Sequence, residues 1–330
     1  MSPAEEVNLW AMSDLSTPWA IHVVATLGIA DHIAAGITAI DDLAAAAHCH
    51  AESLQRVLRH LVGRGVFMEP SLGQFTLNGP ARLMLSPMFK LGFDLEGFGG
   101  RMAYAWGGLL ESVRTGEPAY RTIFGRPFWD DLAVHPKLAA DFDALMGPSG
   151  HGLPDPDVLI GGWESVRTVV DVGGGTGALL AEVLRAHPEA RGTLVDVPAT
   201  VARSAEIFQA AGVADRVTTI GQSFFDPLPA GGDLYLLKSV LSDWADPKAS
   251  AILRRCADAA RPNGRVVIVN GVSPDDARPP APELLMMVLV GGKQRTLSEF
   301  RDLARGAGLE VHAAERKPSG KFIVECRTLG

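Results

Sequence analysis

One segment of this 330-residue chain constrains its fold more than any other: the glycine-rich run Asp171-Val-Gly-Gly-Gly-Thr-Gly177. An apolar, strand-like pair, Val169-Val170, leads into it, and the helix-like run Ala178-Leu-Leu-Ala-Glu-Val-Leu184 follows it. Glycines let the backbone approach a ligand closely and adopt angles that other residues resist. A strand, a tight turn and a helix in this order predict an α/β domain with a ligand site at the turn.

Strand-like and helix-like runs alternate from this segment to the end of the chain. The predicted strands span residues 168–171, 192–196, 217–220, 234–237, 265–269 and 321–326. The predicted helices include residues 178–187, 248–260 and 297–307. This alternation is typical of a doubly wound, mainly parallel sheet with helices on both faces.

The N-terminal region predicts a winged-helix-like module. Apolar side chains recur on one face of a predicted helix over residues 51–65. They are Leu54, Val57, Leu58, Leu61 and Val62. Two short predicted strands follow, over residues 66–68 and 74–77, with a turn at 70–73 between them.

Such a module can bind DNA or associate with a second copy of itself. The candidate recognition helix offers only Arg56, Arg59 and Arg64, and the chain has a net charge of -8. Without a basic cluster, no nucleic-acid partner is expected. The apolar helix face instead predicts a homodimer formed through a first domain, residues 1–88. A helical region over residues 89–160 then precedes the α/β domain, residues 161–330.

The three cysteines, Cys49, Cys256 and Cys326, are far apart in the sequence and match neither a disulfide framework nor a zinc site. They predict a reducing, cytoplasmic setting. His48 and His50 flank Cys49 but have no fourth ligand nearby, so a surface turn is favoured and no metal is expected. No run approaches the roughly 18 apolar residues of a membrane span, so no membrane partner is expected.

The residues around the glycine turn indicate the kind of ligand. Asp171 stands directly before the glycines, where its carboxylate would repel a pyrophosphate, and the spacing differs from the dinucleotide G-x-G-x-x-G pattern. A cofactor with a cationic amino-acid part suits it better. Asp196 ends the next predicted strand, 25 residues after Asp171, where a carboxylate can accept hydrogen bonds from both ribose hydroxyls.

Several further segments carry a resemblance to a known family. They are Leu-Val-Asp-Val-Pro (194–198), Ser-Phe-Phe-Asp-Pro-Leu-Pro (223–229), Leu-Lys-Ser-Val-Leu-Ser-Asp-Trp (237–244), Arg254-Arg-Cys256 and Gly-Gly-Lys-Gln-Arg-Thr (291–296). With the glycine turn, they make the chain similar over nearly its whole length to small-molecule O-methyltransferases of the plant caffeic acid and bacterial antibiotic-tailoring types. The resemblance implies an α-helical, winged-helix-like dimerisation domain and a class I methyltransferase (Rossmann-like) domain.

The resemblance also implies S-adenosylmethionine as the cofactor. The positions implied to contact it are Asp171, Gly173, Gly175, Asp196, Val197, Ser223, Phe224, Lys238 and Ser239. Among these, Ser223 departs from the family, which usually has an acidic residue there.

Three further departures fall in the implied catalytic site. Relatives carry a histidine base in a Leu-His-Asp-Trp segment and two glutamates that orient it; this chain has Ser242, Asn270 and Gln294 at those positions. Serine has little basicity near neutral pH without a partner. His151 and Asp243 are the candidates for a substitute base or anchor.

These replacements leave three interpretations open. The first is methyl transfer at O, N or C to an acceptor that needs alignment more than a strong base. The second is a repurposed enzyme that keeps the cofactor but catalyses a decarboxylation, hydroxylation or pericyclic step. The third, a non-catalytic binding protein, is disfavoured by the intact cofactor segment.

The acceptor pocket implied by the resemblance is rich in aromatic and methionine side chains. Its predicted members are Trp106, Trp129, Phe142, Met146, Met286 and Met287. Such a lining suits a flat aromatic or polycyclic natural product, as expected of an enzyme of antibiotic or other secondary metabolism.

Overall fold

A computed structural model describes residues 8–147, 153–276 and 283–329. Contacts along the chain divide it into two compact units, Met1–Ala103 and Tyr104–Gly330. The predicted divisions after residues 88 and 160 stay predictions. In the described ranges, no helix has the length and apolar character needed to cross a membrane.

The first unit is mainly helical. Its helices are Leu9–Met12, Ser16–Thr26, Ile29–Ala34, Ile40–Ala46, Ala51–Gly63, Gly79–Arg82, Pro87–Phe93 and Phe98–Ala105, the last reaching into the second unit, with a 3₁₀ turn at Leu83–Leu85. Strands β1 (Met68–Ser71) and β2 (Gln74–Thr76) pair antiparallel, and Ala39 bridges to Gln74. Helix Ala51–Gly63 buries one face in the core of this unit. The predicted winged-helix-like module is thus confirmed.

The first strand of the wing lies later than the sequence predicted. Residues 66–68 were expected to form it, but β1 begins at Met68. Phe67 is buried, has a φ of 69° and donates its backbone N–H to Asn78 Oδ1 at 3.2 Å. A residue in this left-handed conformation interrupts an extended strand, so pairing starts after it.

The second unit begins with short helices and continues as an α/β sheet. Its helices are Leu109–Thr115, Tyr120–Phe124, Phe128–Val134, Pro136–Met146, Ala178–Ala186, Pro198–Val201, Ala205–Ala210, Asp246–Ala259, Glu283–Leu289 and Leu297–Gly306, with 3₁₀ turns at Trp106–Gly108, Ala214–Arg216 and Leu241–Asp243. The strands are β3 (Thr168–Val172), β4 (Arg191–Asp196), β5 (Val217–Gly221), β6 (Leu234–Lys238), β7 (Arg265–Val269), β8 (Val272–Ser273), β9 (Arg295–Thr296), β10 (Leu309–Arg316) and β11 (Phe322–Thr328).

Seven strands form one sheet in the order β10-β11-β7-β6-β3-β4-β5. The run from β7 to β5 is parallel, whereas β11 pairs antiparallel with both β7 and β10. Alternate residues of β3 enter opposite cores: Val169 packs with helix Ala178–Ala186 and Val170 with helix Asp246–Ala259. Helices therefore cover both faces, which confirms the Rossmann-like prediction and gathers the carboxyl ends of β3, β4, β6 and β7 at one edge.

Strand β10 was missed from the sequence, which predicted only one strand after the last helix. Leu309 is its one fully buried residue, and its other side chains are exposed or partly buried. Strand β10 forms one edge of the sheet, and its partial burial produces no clear alternation of apolar and polar residues, so the pattern that identifies strands is absent.

Candidate functional site

The glycine turn connects β3 to helix Ala178–Ala186. Gly173 and Gly175 have φ angles of 68° and 61°, which glycine adopts without strain. A Cβ on Gly173 would stand 2.9 Å from Val240 and 3.3 Å from Phe224, whereas a Cβ on Gly175 would meet nothing within 4 Å. The turn is therefore packed at Gly173 and open at Gly175, where a ligand can approach the backbone.

Asp171 lies beneath this turn. Its carboxyl is buried, and Oδ2 has no hydrogen-bond partner among the described residues. The pKa of Asp171 is raised to about 7, mainly by burial and also by the negative charge of Asp196, while the Lys238 ammonium partly offsets both effects. An unpaired buried carboxyl oxygen is costly, so Asp171 is poised to accept a donor or cation from a ligand.

Asp196, at the end of β4, is hydrogen-bonded to the turn. Its Oδ2 accepts from Gly175 N at 2.8 Å and its Oδ1 accepts from Val197 N at 2.7 Å. The pKa of Asp196 is raised to about 6, mainly by burial and also by the nearby Asp143 carboxylate, while the two backbone donors partly offset this rise. The predicted ribose-binding residue thus lies directly beside the glycine turn.

Two non-glycine residues at the ends of neighbouring strands have left-handed backbones. Ser239 follows β6 with a φ of 56°, and Asn270 follows β7 with a φ of 64°. Asn270 Nδ2 donates to Ser239 Oγ at 3.3 Å. Such conformations cost about 1–3 kcal/mol each and cluster at functional sites, which supports a functional role for this edge. Just before Ser239, Lys238 has its pKa lowered by burial and raised by Asp171.

Phe224 covers the glycine turn. A Cβ on Gly173 would meet its ring, and that ring packs edge-on against Trp244 with centroids 6.0 Å apart. The neighbouring Ser223 turns back on its own chain, where its Oγ accepts from Phe225 N at 3.2 Å.

The three neutral replacements lie in adjoining segments. Ser242 is in the turn Leu241–Asp243, and a Cβ on Gly271, next to Asn270, would lie 3.5 Å from Ser242 Cβ. Arg295 N, next to the partly buried Gln294, donates to Gly271 O at 3.1 Å. Segments far apart in the sequence thus meet at one place.

Asp243 is an ionisable residue at the point where the segments of Ser242, Asn270 and Gln294 meet. Ser242 Oγ donates to Asp243 Oδ1 at 3.4 Å, a long hydrogen bond. The pKa of Asp243 is raised to about 7 by burial, an effect that the hydrogen bond from Ser242 offsets only in part. A carboxyl group with a pKa near the operating pH can act as a general base.

Arg295 holds this turn in place and was not identified from the sequence. Its side chain is fully buried and donates to Leu241 O at 2.8 Å, to Trp244 O at 2.7 Å and to Asp246 Oδ1 at 2.9 Å. A planar guanidinium with several fixed donors suits such a role. Nothing in the sequence near Arg295 signals these partners.

We expect Arg295→Met to lower the free energy of unfolding by about 3 kcal/mol, because it leaves the buried carbonyl of Leu241 and the partly buried carbonyl of Trp244 unpaired, at roughly 1–3 kcal/mol each. Urea unfolding measures this loss. The adjacent Lys293→Met is the matched control: its ion pairs with Asp246 and Glu299 are partly exposed and contribute about 0–1 kcal/mol. Equal losses in both variants would contradict the role of Arg295.

The predicted aromatic residues form one packed group with Trp244. Trp129 stacks on Trp244 with centroids 6.0 Å apart and meets Phe142 edge-on at 5.6 Å. Trp129 Nε1 is buried without a partner among the described residues. Trp244 ends the family segment of residues 237–244, but the sequence did not place it in the acceptor pocket. It joins this group to Phe224 and hence to the glycine turn.

The other predicted pocket residues lie elsewhere in the second unit. Met286 and Met287 are in helix Glu283–Leu289, which packs against the 3₁₀ turn that begins at Trp106. Met146 ends the helix that carries Phe142 and is 48% exposed. His151 lies outside the described residues. Within the described ranges, no three His, Cys, Asp or Glu side chains are placed to hold a metal ion.

Comparison with known proteins identifies the family. An O-methyltransferase domain model matches residues 106–310, and an O-methyltransferase dimerisation domain model matches residues 11–87. The chain therefore belongs to the O-methyltransferase family. It is a methyltransferase that uses S-adenosylmethionine.

Individual relatives and solved structures match nearly the whole chain. The 2,7-dihydroxy-5-methyl-1-naphthoate 7-O-methyltransferase of Streptomyces carzinostaticus is 40% identical over 94% of this chain and 95% of its own. Aclacinomycin 10-hydroxylase RdmB of Streptomyces purpurascens is 38% identical over 94% of this chain and 86% of its own. The crystal structure of NcsB1, an O-methyltransferase from neocarzinostatin biosynthesis in complex with S-adenosylmethionine and 2-hydroxy-5-methyl naphthoic acid, matches with a TM-score of 0.90 and 39% identity over 99% of this chain and 100% of that one.

Proposed function

We propose that this enzyme transfers the methyl group of S-adenosylmethionine to a phenolic oxygen of a flat, hydroxylated bicyclic or polycyclic aromatic acceptor. The observation that carries the proposal is the aromatic group of Trp129, Phe142 and Trp244 beside the Ser242-Asp243 turn. Flat apolar surfaces of this kind bind fused aromatic rings. The naphthoate-methylating relative and the naphthoic acid bound to NcsB1 support the same acceptor class.

We assign each part of the cofactor to residues at the carboxyl ends of neighbouring strands. The open backbone at Gly175 and the unpaired oxygen of Asp171 fit the cationic amino-acid part, beside Gly173, Lys238 and Ser239. Asp196 and Val197 would hold the ribose. Ser223 and Phe224 would flank the adenine. When bound, S-adenosylmethionine supplies a methyl group on a sulfonium, which is displaced onto the acceptor.

Asp243 is the group that we propose to receive the proton of the acceptor hydroxyl. A phenol has a pKa of about 10 in water, whereas the pKa of Asp243 is about 7, so about half of the Asp243 carboxyl groups are ionised at neutral pH and a larger fraction at higher pH. The proton moves to Asp243 as the oxygen forms its bond to the methyl carbon, and it leaves to solvent after the reaction. Ser242 orients the carboxylate through its hydroxyl.

The neutral side chains of Asn270 and Gln294 align the acceptor in this proposal. They replace charged residues, yet they keep donors and acceptors at the same edge of the sheet. Holding a reactant in line with the transferred group is itself a large contribution, with effective molarities on the order of 10⁵ M or more. Alignment by these residues thus adds to the proton transfer to Asp243.

The test is methyl transfer to a panel of hydroxylated naphthoates and polycyclic phenols, with 2,7-dihydroxy-5-methyl-1-naphthoate as the first acceptor. We expect an O-methylated product and S-adenosylhomocysteine in equal amounts. The fully O-methylated form of each acceptor, which has no free phenolic hydroxyl, is the matched control and should not react. Transfer to this fully O-methylated form would contradict an oxygen acceptor.

Hydroxylation is the second candidate, because a relative of 38% identity is named a hydroxylase and the usual base is absent. One assay with aclacinomycin as the acceptor distinguishes hydroxylation from methylation. Hydroxylation would take one oxygen atom from dioxygen, with two electrons from a reductant added to the assay reducing the other to water, and it would leave S-adenosylmethionine intact, whereas methylation consumes it. Product mass and cofactor consumption, measured together, decide between them.

We also propose that two chains associate through the matched dimerisation domain. Near its start, Leu9, Trp10, Met12 and Leu15 are each at least 70% exposed in a single chain. Large apolar side chains of this kind gain stability when a partner covers them. The solution mass should therefore be that of a dimer, and a Trp10→Ser variant should shift the equilibrium towards the monomer.

We expect Gly173→Ala to weaken S-adenosylhomocysteine binding by about ten-fold, because the added Cβ overpacks Val240 and Phe224 at a cost of roughly 1–3 kcal/mol. Gly212→Ala is the matched control: Gly212 has the same φ of 68°, but its Cβ would meet nothing within 4 Å. Calorimetric titration of both variants tests this. Equal affinities would contradict the close packing proposed at Gly173.

A further inference from the structure

One ion pair in the second unit connects the aromatic group to the loop after β4. Arg203 Nε donates to Asp143 Oδ2 at 2.8 Å, and Arg203 Nη2 contacts the same oxygen. The Asp143 side chain is 11% exposed and that of Arg203 is 33% exposed, so water screens this pair less than a surface pair. Asp143 belongs to helix Pro136–Met146.

A short series of hydrogen bonds connects Arg203 to Asp196. Asp196 Oδ1 accepts from Val197 N, and Val197 O in turn accepts from Thr200 N at 3.0 Å. Arg203 N donates to Thr200 O at 3.0 Å, and its Nη2 donates to Thr200 Oγ1 at 3.3 Å. The position of the guanidinium therefore follows that of the Asp196 carboxylate.

The Asp143 end lies next to the aromatic group. Phe142 precedes Asp143 in the same helix and meets Trp129 at 5.6 Å and Phe128 at 5.9 Å. A displacement of this helix would consequently move the Phe142 ring, which belongs to the aromatic group proposed to contact the acceptor.

The charges of Asp143, Arg203 and Asp196 influence one another. The Asp143 carboxylate raises the pKa of Asp196, and the Arg203 guanidinium lowers it. Arg203 thus attracts Asp143 and offsets the repulsion between the two carboxylates. Without Arg203, Asp143 and Asp196 would repel each other across the loop.

We propose that the Asp143–Arg203 pair is a latch through which ligand binding at Asp196 holds helix Pro136–Met146, and with it Phe142, in place to receive the acceptor. Both residues are positioning residues. The latch rests on the proposed cofactor site and on the aromatic group proposed to contact the acceptor. It adds a coupling between them, because cofactor binding at Asp196 favours the helix position that receives the acceptor.

The test uses the full-length protein and S-adenosylhomocysteine, so it needs no acceptor. Hydrogen exchange of the amides in helix Pro136–Met146 is measured with and without saturating ligand. In the wild type, the ligand should slow exchange about five-fold or more, the usual lower range of coupling between sites. Asp143→Asn and Arg203→Gln should each abolish the slowing. Asp141→Asn, which breaks an ion pair with Lys137 within the same helix, should retain it.

Ligand affinity separates a latch from a merely structural pair. Arg203→Gln should weaken S-adenosylhomocysteine binding more than Asp143→Asn does, because it leaves two carboxylates facing each other. The double variant Asp143→Asn/Arg203→Gln should then bind more tightly than Arg203→Gln alone. If the two substitutions acted independently, their losses of binding free energy would add in the double variant. Such additivity would overturn the proposal.

The exchange experiment also distinguishes failure of the latch from failure of the cofactor site. Tight ligand binding without slower exchange in the wild type would overturn the latch alone. The same ligand-induced slowing in the wild type, Asp143→Asn and Arg203→Gln would also overturn it. Absence of ligand binding to the wild type would contradict the cofactor site, and the latch with it.

Discussion

Replacement of Asp243 by asparagine should lower kcat for a phenolic acceptor about 100-fold, the lower range for loss of a general base. Asparagine keeps the size and the hydrogen bond to Ser242 but cannot take a proton. S-adenosylhomocysteine affinity should stay within about two-fold of the wild type, since Asp243 is not placed in the cofactor site. Steady-state kinetics and calorimetric titration measure the two effects.

The pH profile gives the same prediction a second readout. Asp243 must be ionised to accept a proton, and its pKa is raised to about 7, so activity should fall as the pH decreases through that value. The Asp243→Asn variant should lack this acid limb. Asp258→Asn, an exposed carboxylate on helix Asp246–Ala259, is the control and should keep it. An unchanged kcat in Asp243→Asn would show that alignment alone supports the reaction.

Asp196→Ala should weaken S-adenosylhomocysteine binding about 100-fold or more, because hydrogen bonds to a charged group contribute roughly 1.5–3 kcal/mol each. The change also removes the acceptor for Gly175 N and Val197 N, which orders the glycine turn. Calorimetric titration tests it. Asp215→Ala, in an exposed 3₁₀ turn away from the glycine turn, should leave the affinity unchanged.

Lowering the pH should weaken S-adenosylhomocysteine binding in the same way as this substitution. Because the pKa of Asp196 is raised to about 6, the carboxyl becomes protonated below that pH and loses its strength as an acceptor. Wild-type affinity for S-adenosylhomocysteine should therefore decrease as the pH falls below about 6, and it should decrease less steeply in Asp196→Ala. An identical slope in the two proteins would assign the titration to another group, such as Asp171.

The parts of the fold that were predicted are those in which a local pattern carries the information. Strand β3, the glycine turn and the helix after it follow each other without interruption, and Asp196 was located by its distance from Asp171. The winged module was identified from the single apolar face of its helix. In each case the relevant residues are neighbours in the sequence or occupy regular positions along one element.

The parts that were missed depend on contacts between distant residues. Arg295 bonds to carbonyls some fifty residues away, and the Asp143–Arg203 pair spans sixty. Trp244 belongs to the aromatic group only because helix Phe128–Val134 brings Trp129 against it. The raised pKa of Asp243 likewise comes from burial, which composition and spacing do not reveal.

The most direct test of the central claim uses S-adenosylmethionine labelled with ¹³C in its methyl group, with 2,7-dihydroxy-5-methyl-1-naphthoate and a panel of related phenols. The carbon chemical shift of the product distinguishes a methyl ether from an N-methyl or C-methyl group. We predict a labelled methyl ether formed on an aromatic ring. Label on nitrogen or carbon, or an oxygenated product with the labelled cofactor unconsumed, would contradict the proposal.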